Sequence, residues 1–353
     1  MTFNPDSVSA IFDKLMKLLN RLIVYFFSLL SVLLTIFSLA GNFGNWHRFL
    51  EITANFKLQY LLLSFCIFFF WLLTRRYYWL CLSLVCIVIN AAVIIPWYVS
   101  PQQTVIDTEY ESLRVLAFNV LHQNKRYGDA INLVKNRQTR AFPCAFRRRG
   151  VARQVDLATF LEATPPWDTE LLALKKILPY HFSAPKLQIE IYSKYPLKNT
   201  KIKLYGTYRG LVISELNVGK SDLIFVATHA YPQVYFGNQG WRIRNAQLES
   251  GIPNELGKLN KPVIVGGDLN VTMWSPQYKS MITKSGLKNA RQGFGILPTQ
   301  STYFPDIPWL AIPLDHFLVS QDILVDNFET GENIGSDHLP ILIDVLIPSN
   351  TKS

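Results

Sequence analysis

The stretch Pro262-Val263-Ile264-Val265-Gly266-Gly267-Asp268-Leu269-Asn270 sets the architecture expected of the whole chain. An apolar run rich in β-branched residues reads as a buried strand, and the paired glycines end it where backbone must pass close to something. Asp268 and Asn270 come next. Side chains alternate along an extended chain, so residues two apart project to the same side, and a carboxylate and an amide leave the strand end together. That pair suits a water and a phosphate. Alone, it reads equally well as a β-turn in which Asp and Asn cap their own backbone. The other strand ends decide between the two.

Upstream, the chain changes character. Of its 353 residues 13% are aromatic and its mean hydropathy is positive, an excess concentrated in the first hundred residues. Leu22 to Ala40 is 19 residues without a charge, Leu58 to Leu73 is 16, and Trp79 to Val99 is 21. Roughly 20 apolar residues span a bilayer, and three such runs in series outweigh buried core helices or a cleaved signal peptide. A membrane domain is expected over 1–100, with spans at about 22–40, 58–74 and 79–99. Lys14, Lys17, Arg21, Arg75 and Arg76 flank one side of these spans, against Arg48 and Lys57 on the other. The basic side faces the cytoplasm. Residues 101–111 then form a linker, and the chain beyond it is an extracytoplasmic domain of a multi-pass protein of a bacterial inner or plasma membrane.

Cys66, Cys81 and Cys86 lie within the spans as small apolar fillers, leaving Cys144 alone, so no disulfide or zinc site can be built. The net charge of +10 suggests nucleic acid, but its distribution argues otherwise. Beyond residue 100 there are 28 basic and 22 acidic residues, and five of the basic ones, Arg140, Arg147, Arg148, Arg149 and Arg153, fall in one acid-free stretch. Without them the domain carries only +1. That stretch lies between Arg137-Gln138 and its repeat Arg153-Gln154. Excising 139–154 restores a short helix-to-strand connection, which points to an insertion or a sequence-assembly artefact; the functional alternative is an arginine-rich loop that binds phosphate or lipid head groups.

The domain alternates strands and helices. Strands are expected at Leu113 to Leu121, Leu157 to Leu161, His181 to Tyr192, Gly210 to Asn217, Leu223 to Thr228, Leu314 to Val319 and Leu339 to Ile347. Helices are expected at Tyr127 to Arg137, Trp167 to Leu178 and Arg242 to Leu259. Polar residues recur where these strands end: Asn119, Glu162, His229, Asp268 with Asn270, Asp315, and the pair Asp337-His338. Each could cap a turn or a helix on its own, but a set of them at buried strand ends is how sheets build sites.

Read in order, Leu116-Ala117-Phe118-Asn119, Phe160-Leu161-Glu162, Ile191-Tyr192-Ser193-Lys194-Tyr195-Pro196, Thr228-His229-Ala230-Tyr231-Pro232, Gly267-Asp268-Leu269-Asn270, Leu314-Asp315-His316 and Gly335-Ser336-Asp337-His338-Leu339-Pro340 resemble the endonuclease/exonuclease/phosphatase superfamily. The matching segments span nearly all of 112–348, and the overall plan is similar to bacterial membrane-anchored members. The resemblance implies an α/β fold, a four-layer α/β sandwich, here preceded by an N-terminal bundle of three transmembrane helices. It implies a Mg²⁺-dependent phosphoester hydrolase, with Mn²⁺ as the substitute ion, acting by in-line water attack on phosphorus.

Carried over by position, Glu162 and Asn119 would be oxygen ligands of the kind Mg²⁺ prefers, with Asp337 completing the metal environment. Asp268 would orient or deprotonate the water, Asn270 would hold a phosphate oxygen, and His229 would be an acid or a phosphate contact. His338 would sit beside the phosphate with Asp315 fixing its tautomer. His316 reads as structural. The substrate is a phosphoester: a lipid head group, a small phosphoester or nucleic acid. Besides it the lipid bilayer is the only partner called for, with no obligate protein partner. The reading from another class is a catalytically inactive, membrane-tethered binding or scaffold module.

Overall fold

The computed structural model describes residues 5–103, 108–135, 154–232, 237–300 and 310–350, without the side chains of 5–10. The expected insertion at 139–154 lies outside them except for Gln154. The first hundred residues are helical: α1 (Pro5–Ala40), α2 (Arg48–Ala54), α3 (Lys57–Leu73) and α4 (Tyr77–Ile94). Two segments, Ile11–Phe43 and Tyr77–Tyr98, are long and apolar enough to cross a membrane. The third expected span corresponds to α3, whose 17 residues reach about 26 Å. It meets the same criterion only together with α2, from which it is bent by 66°. Leu22, Phe26, Leu29, Phe69 and Val88 stay exposed on these helices. Between the helices, Trp71 stacks on Trp79 and its Nε1 donates to Ser31 Oγ at 3.0 Å, while Asn90 Nδ2 donates to Ser38 Oγ at 2.9 Å.

The remaining chain builds two six-stranded sheets. In order come β1 (Tyr110–Asn119), α5 (Tyr127–Lys135), β2 (Leu157–Leu161), α6 (Trp167–Glu170), β3 (Tyr180–Ala184), β4 (Ile189–Ser193), β5 (Lys198–Tyr205), β6 (Arg209–Val218) and β7 (Ser221–His229). After β7 come α7 (Gly237–Ala246), α8 (Ile252–Leu256), β8 (Val263–Asp268), α9 (Pro276–Ser285), β9 (Lys288–Asn289), β10 (Asp315–Val319), β11 (Leu324–Thr330) and β12 (Ile341–Pro348). One sheet has the order β11-β12-β1-β2-β4-β3, the other β5-β6-β7-β8-β10-β9. All neighbours are antiparallel except β1 with β2 and β7 with β8, so each sheet carries one parallel pair at its middle.

Period-two patterning explains the layers. Along β1, Leu113, Val115 and Ala117 enter the core between the sheets, where they meet Phe225 and Ala227 of β7 and Phe317 of β10. The alternate residues Leu116 and Phe118 point outward onto α5 and α6. Likewise Ile224 and Val226 of β7 and Val263 and Val265 of β8 face outward onto α8 and α9. Helix, sheet, sheet and helix are the expected four layers.

Several boundaries differ from expectation. The segment His181 to Tyr192 is two strands, because Pro185 starts a turn that Gln188 closes in a left-handed conformation. The helix expected over Arg242 to Leu259 begins at Gly237, passes through a π-turn at Gln247–Gly251 and restarts with Pro253 in its first turn. Strands β5, β9 and β11 and helix α9 were not anticipated. The first is an edge strand whose lysines hide any alternation. Helix α9 carries an N-cap, Ser275 accepting from Gln277 N, and a left-handed Gly286 after its end, both legible signals.

The decisive stretch ends as the glycine pair requires. Gly267 has φ +146°, and a Cβ there would sit 1.9 Å from Thr228 O on the parallel neighbour. Gly267→Ala is therefore expected to destabilise the protein by about 3 kcal/mol or more. Thermal unfolding tests this, and a melting temperature equal to wild type would refute it.

Candidate active site

The two parallel pairs face each other across the core, and side chains at their strand ends meet there. Asn119 closes β1 and Glu162 comes directly after β2, while His229 closes β7 and Asp268 closes β8 as its register partner. Asp315 opens β10 opposite Asp268. The connection into β12 brings His338 to the same place. Three backbone positions here have left-handed φ although none is glycine: Leu121 at +58°, Glu162 at +58° and Asn270 at +50°. Strain of this kind persists where surrounding structure fixes a side chain for use.

Asp268 is at the centre, buried. Its Oδ1 accepts from Asn270 N at 2.8 Å, and its Oδ2 accepts from Asn119 Nδ2 and Asn270 Nδ2, both at 3.2 Å. His229 Nε2 lies 3.5 Å and His338 Nε2 3.8 Å from that Oδ2. Burial pushes the Asp268 carboxyl up to about 7, against the His338 charge and these donors. A base poised near neutrality can take a proton from water.

His338 Nδ1 contacts Asp315 Oδ2 at 2.7 Å. Burial opposes its charge, yet Asp315 and Asp268 raise it to about 10, and the imidazolium in turn holds Asp315 below its ordinary value despite burial. Ser336 Oγ donates to Asn119 O at 2.7 Å and accepts from His338 N at 3.1 Å, tying this loop to the end of β1. The linkage has a sign: His338 binds its proton more tightly when folded. Its contribution to stability is complete below its ordinary 6.5 and is lost as pH rises through about 10. Melting temperature is expected to fall across that window, and Asp315→Asn is expected to flatten the fall. Parallel curves for the two proteins would contradict the pairing.

Glu162 is the open member. Its polar neighbours among the described residues are all cationic or imidazole groups at a distance: Arg209 Nη2 at 3.4 Å, His122 Nδ1 at 3.5 Å and His229 Nε2 at 3.8 Å. A part-exposed carboxylate with no short bond among these contacts suits an oxygen ligand for a small hard cation, and Asn119 Oδ1, which accepts from Leu121 N at 3.2 Å, offers a second oxygen from the neighbouring strand end. The one His, Cys, Asp or Glu grouping among the described residues whose ligand atoms lie within 4.8 Å of one another is Asp268, Asp315 and His338, and there the short Asp315–His338 contact occupies the imidazole Nδ1. Asp337 stands exposed at the rim. Burial, Arg209 and His338 drive the His229 imidazole well below its ordinary value, so it is neutral. Asn270 Nδ2 also donates to Ala230 O at 2.9 Å, so one of its hydrogens is held by that carbonyl and the other by Asp268.

His316 faces the opposite way, as expected of a structural residue. Its Nε2 donates to Val271 O at 2.8 Å, its ring lies 4.9 Å from Tyr278, and burial with Arg291 nearby keeps it neutral, at about 3. One participant was not anticipated. Arg209, at the start of β6, is buried with its guanidinium against Glu162 and 4.9 Å from the Tyr208 ring. Its only sequence signal is the adjoining Gly210, where a Cβ would sit 2.0 Å from Lys203 O.

Comparison with known proteins bears on the fold. Among solved structures, an endonuclease/exonuclease/phosphatase family protein from Bacteroides thetaiotaomicron is similar at 16% identity, over 68% of this chain and 99% of that one, with a TM-score of 0.51. Sphingomyelinase C from Streptomyces griseocarneus is similar at 19% identity, over 66% and 99%, with a TM-score of 0.47. A beta toxin variant from Staphylococcus aureus with bound magnesium ions is similar at 17% identity, over 67% and 100%, with a TM-score of 0.46. No curated protein matches the chain. The sequence profile of the Endonuclease/Exonuclease/phosphatase family matches residues 116–338, the span that carries every strand end converging on Asp268. The chain belongs to the endonuclease/exonuclease/phosphatase family and is a metal-dependent phosphoester hydrolase.

Proposed function

We propose that this hydrolase is Mg²⁺-dependent and membrane-anchored, with three transmembrane helices in residues 1–100, a linker at 101–111 and an extracytoplasmic catalytic domain at 112–348. The observation that carries the catalytic part is the convergence of Asn119, Glu162, His229, Asp268, Asp315 and His338 on the ends of two parallel strand pairs. Glu162 and Asn119 would hold the cation, with Asp337 reaching it from the rim. Bound there, it supplies positive charge to the phosphate oxygens as they gain charge.

The chain's own residues do the rest. Asp268 accepts a proton from the attacking water, held in place by Asn119 and Asn270. The His338 imidazolium, aligned by Asp315, presents Nε2–H to a phosphate oxygen. Neutral His229 donates a hydrogen bond to the phosphate, and Arg209 adds a fixed positive charge beside Glu162. Asn270 assists by fixing Asp268; direct contact with phosphate requires it to release its 3.2 Å bond to that carboxylate.

Three spans are supported by where the helices touch the catalytic domain. Gln277 Nε2 donates to Gly44 O at 3.1 Å and Trp274 Nε1 to Val93 O at 3.1 Å, so the α1–α3 connection and the end of α4 lie on one side. Arg75 and Arg76 lie at the other end of α3. That arrangement matches a cytoplasmic N-terminus.

Near-neutral charge outside 139–154 favours a lipid head group or small phosphoester over nucleic acid. The test is a substrate panel on the full-length protein in lipid nanodiscs: bis-nitrophenyl phosphate, nitrophenyl phosphate, phospholipid and single-stranded DNA. Phosphoester turnover with weak salt dependence is expected. DNA cleavage that falls steeply with salt would reverse the order of substrates.

A further inference from the structure

The membrane domain does more than tether. Helix α2, between the first and second apolar runs, puts Glu51 into the catalytic domain with no exposed surface. Its carboxylate accepts from Arg244 of α7 and from Trp241 Nε1, and its Oε1 accepts from Ser275 Oγ at 2.8 Å. Arg244 is equally buried. The guanidinium has a second duty: its Nη1 donates to Asn270 O at 3.1 Å. Asn270 in turn holds Asp268 through its backbone N–H and its side-chain amide. An unbroken run of hydrogen bonds thus leads from a membrane-domain carboxylate to the catalytic base.

We infer that Glu51 is a positioning residue for catalysis: it holds Arg244 on the Asn270 carbonyl and so keeps Asn270 in its left-handed conformation against Asp268. Asn270 has φ +50°, a left-handed conformation that asparagine adopts more readily than other side-chain-bearing residues and that the bonds to Arg244 and Asp268 hold in place here. Among the described residues, Arg244 is the only side chain that donates to that carbonyl. A buried guanidinium keeps its place only while its charge is matched. Without the Glu51 charge, Arg244 keeps neutral acceptors, Asn245 Oδ1 at 2.8 Å and the Asn270 carbonyl, but its charge is unmatched, so it turns away or draws in water and Asn270 loses its restraint.

Other contacts cross the same interface, Thr272 Oγ1 to Asn55 Oδ1 at 3.1 Å and Gln277 Nε2 to Gly44 O at 3.1 Å. They join the two parts without touching Asn270. The interface as simple adhesion predicts that any of these contacts matters equally; the positioning role singles out Glu51 and Arg244.

The kinetic arm of the test rests on the hydrolase reading, and an exchange arm does not. In full-length protein, Glu51→Gln is expected to lower kcat roughly 10–100-fold with KM within about threefold, the pattern of a displaced catalytic group. Glu51→Asp recovers part of the loss, and Gln277→Met leaves kcat unchanged. Amide exchange over 269–275 is expected to rise about tenfold in Glu51→Gln, with the sheets unaltered. If that variant does not fold, Glu51→Met/Arg244→Met removes both charges at similar volume and carries both measurements, with the same drop expected. Unchanged kcat and unchanged exchange overturn the inference, as does an equal loss in Gln277→Met. Absence of wild-type turnover would fault the hydrolase reading alone, because exchange still reports the hold on Asn270.

Discussion

Asp268→Asn is expected to lower kcat roughly 10³–10⁴-fold while the protein remains folded. The amide keeps the shape and the oxygen that accepts from Asn270 N, but it cannot take a proton from water. Its NH₂ would face the donors of Asn119 and Asn270, a mismatch worth about 1–2 kcal/mol of stability. Since burial already disfavours the charged carboxylate, a neutral group at this position relieves part of that cost. Purified variant and wild type are compared by kcat and melting temperature. A variant within threefold of wild-type kcat would remove Asp268 from the role of base.

Glu162→Gln acts on a different step. An amide oxygen is a weaker ligand than a carboxylate for a hard cation, so half-saturating Mg²⁺ is expected to rise about 10–100-fold. Saturating Mg²⁺ restores much of kcat in this variant and none in Asp268→Asn. Loss of the Glu162 charge also leaves Arg209 without its counter-ion at 3.4 Å, so a modest drop in kcat persists at saturation. A Mg²⁺ titration of initial rates separates the two variants. Identical titration curves for Glu162→Gln and wild type would take the cation away from Glu162.

Much of the site was legible because it is built from buried strands. The runs ending at Asn119, Glu162, His229 and Asp268 are apolar on both faces, which makes them central strands, and a polar residue closing such a run stands out. The edges did not stand out. β5 is largely exposed and lysine-rich, and β9 is two residues long, so neither carries an apolar pattern. Arg209 was hidden for a related reason: an arginine opening a strand looks like surface until the opposite sheet buries it. The Glu51–Arg244 pair was out of reach altogether, because its partners are 193 residues apart and meet only through tertiary packing. Helix α3, at 17 residues, falls short of the length criterion that the sequence run suggested, and it meets that criterion only together with α2, across a 66° bend.

These contacts also constrain how the protein can be taken apart. A fragment starting at residue 101 would lack Glu51, Asn55, Gly44 and Val93, all of which bond to the 272–277 segment or to Arg244. Tests of catalysis therefore belong on the full-length protein.

The most direct measurement is hydrolysis of bis-nitrophenyl phosphate by full-length protein in nanodiscs, stripped with chelator and then titrated with Mg²⁺, beside Asp268→Asn treated identically. The account predicts no turnover after stripping, recovery with Mg²⁺ in wild type, and none in the variant at any concentration. Turnover that survives stripping, or that persists in Asp268→Asn, would contradict it.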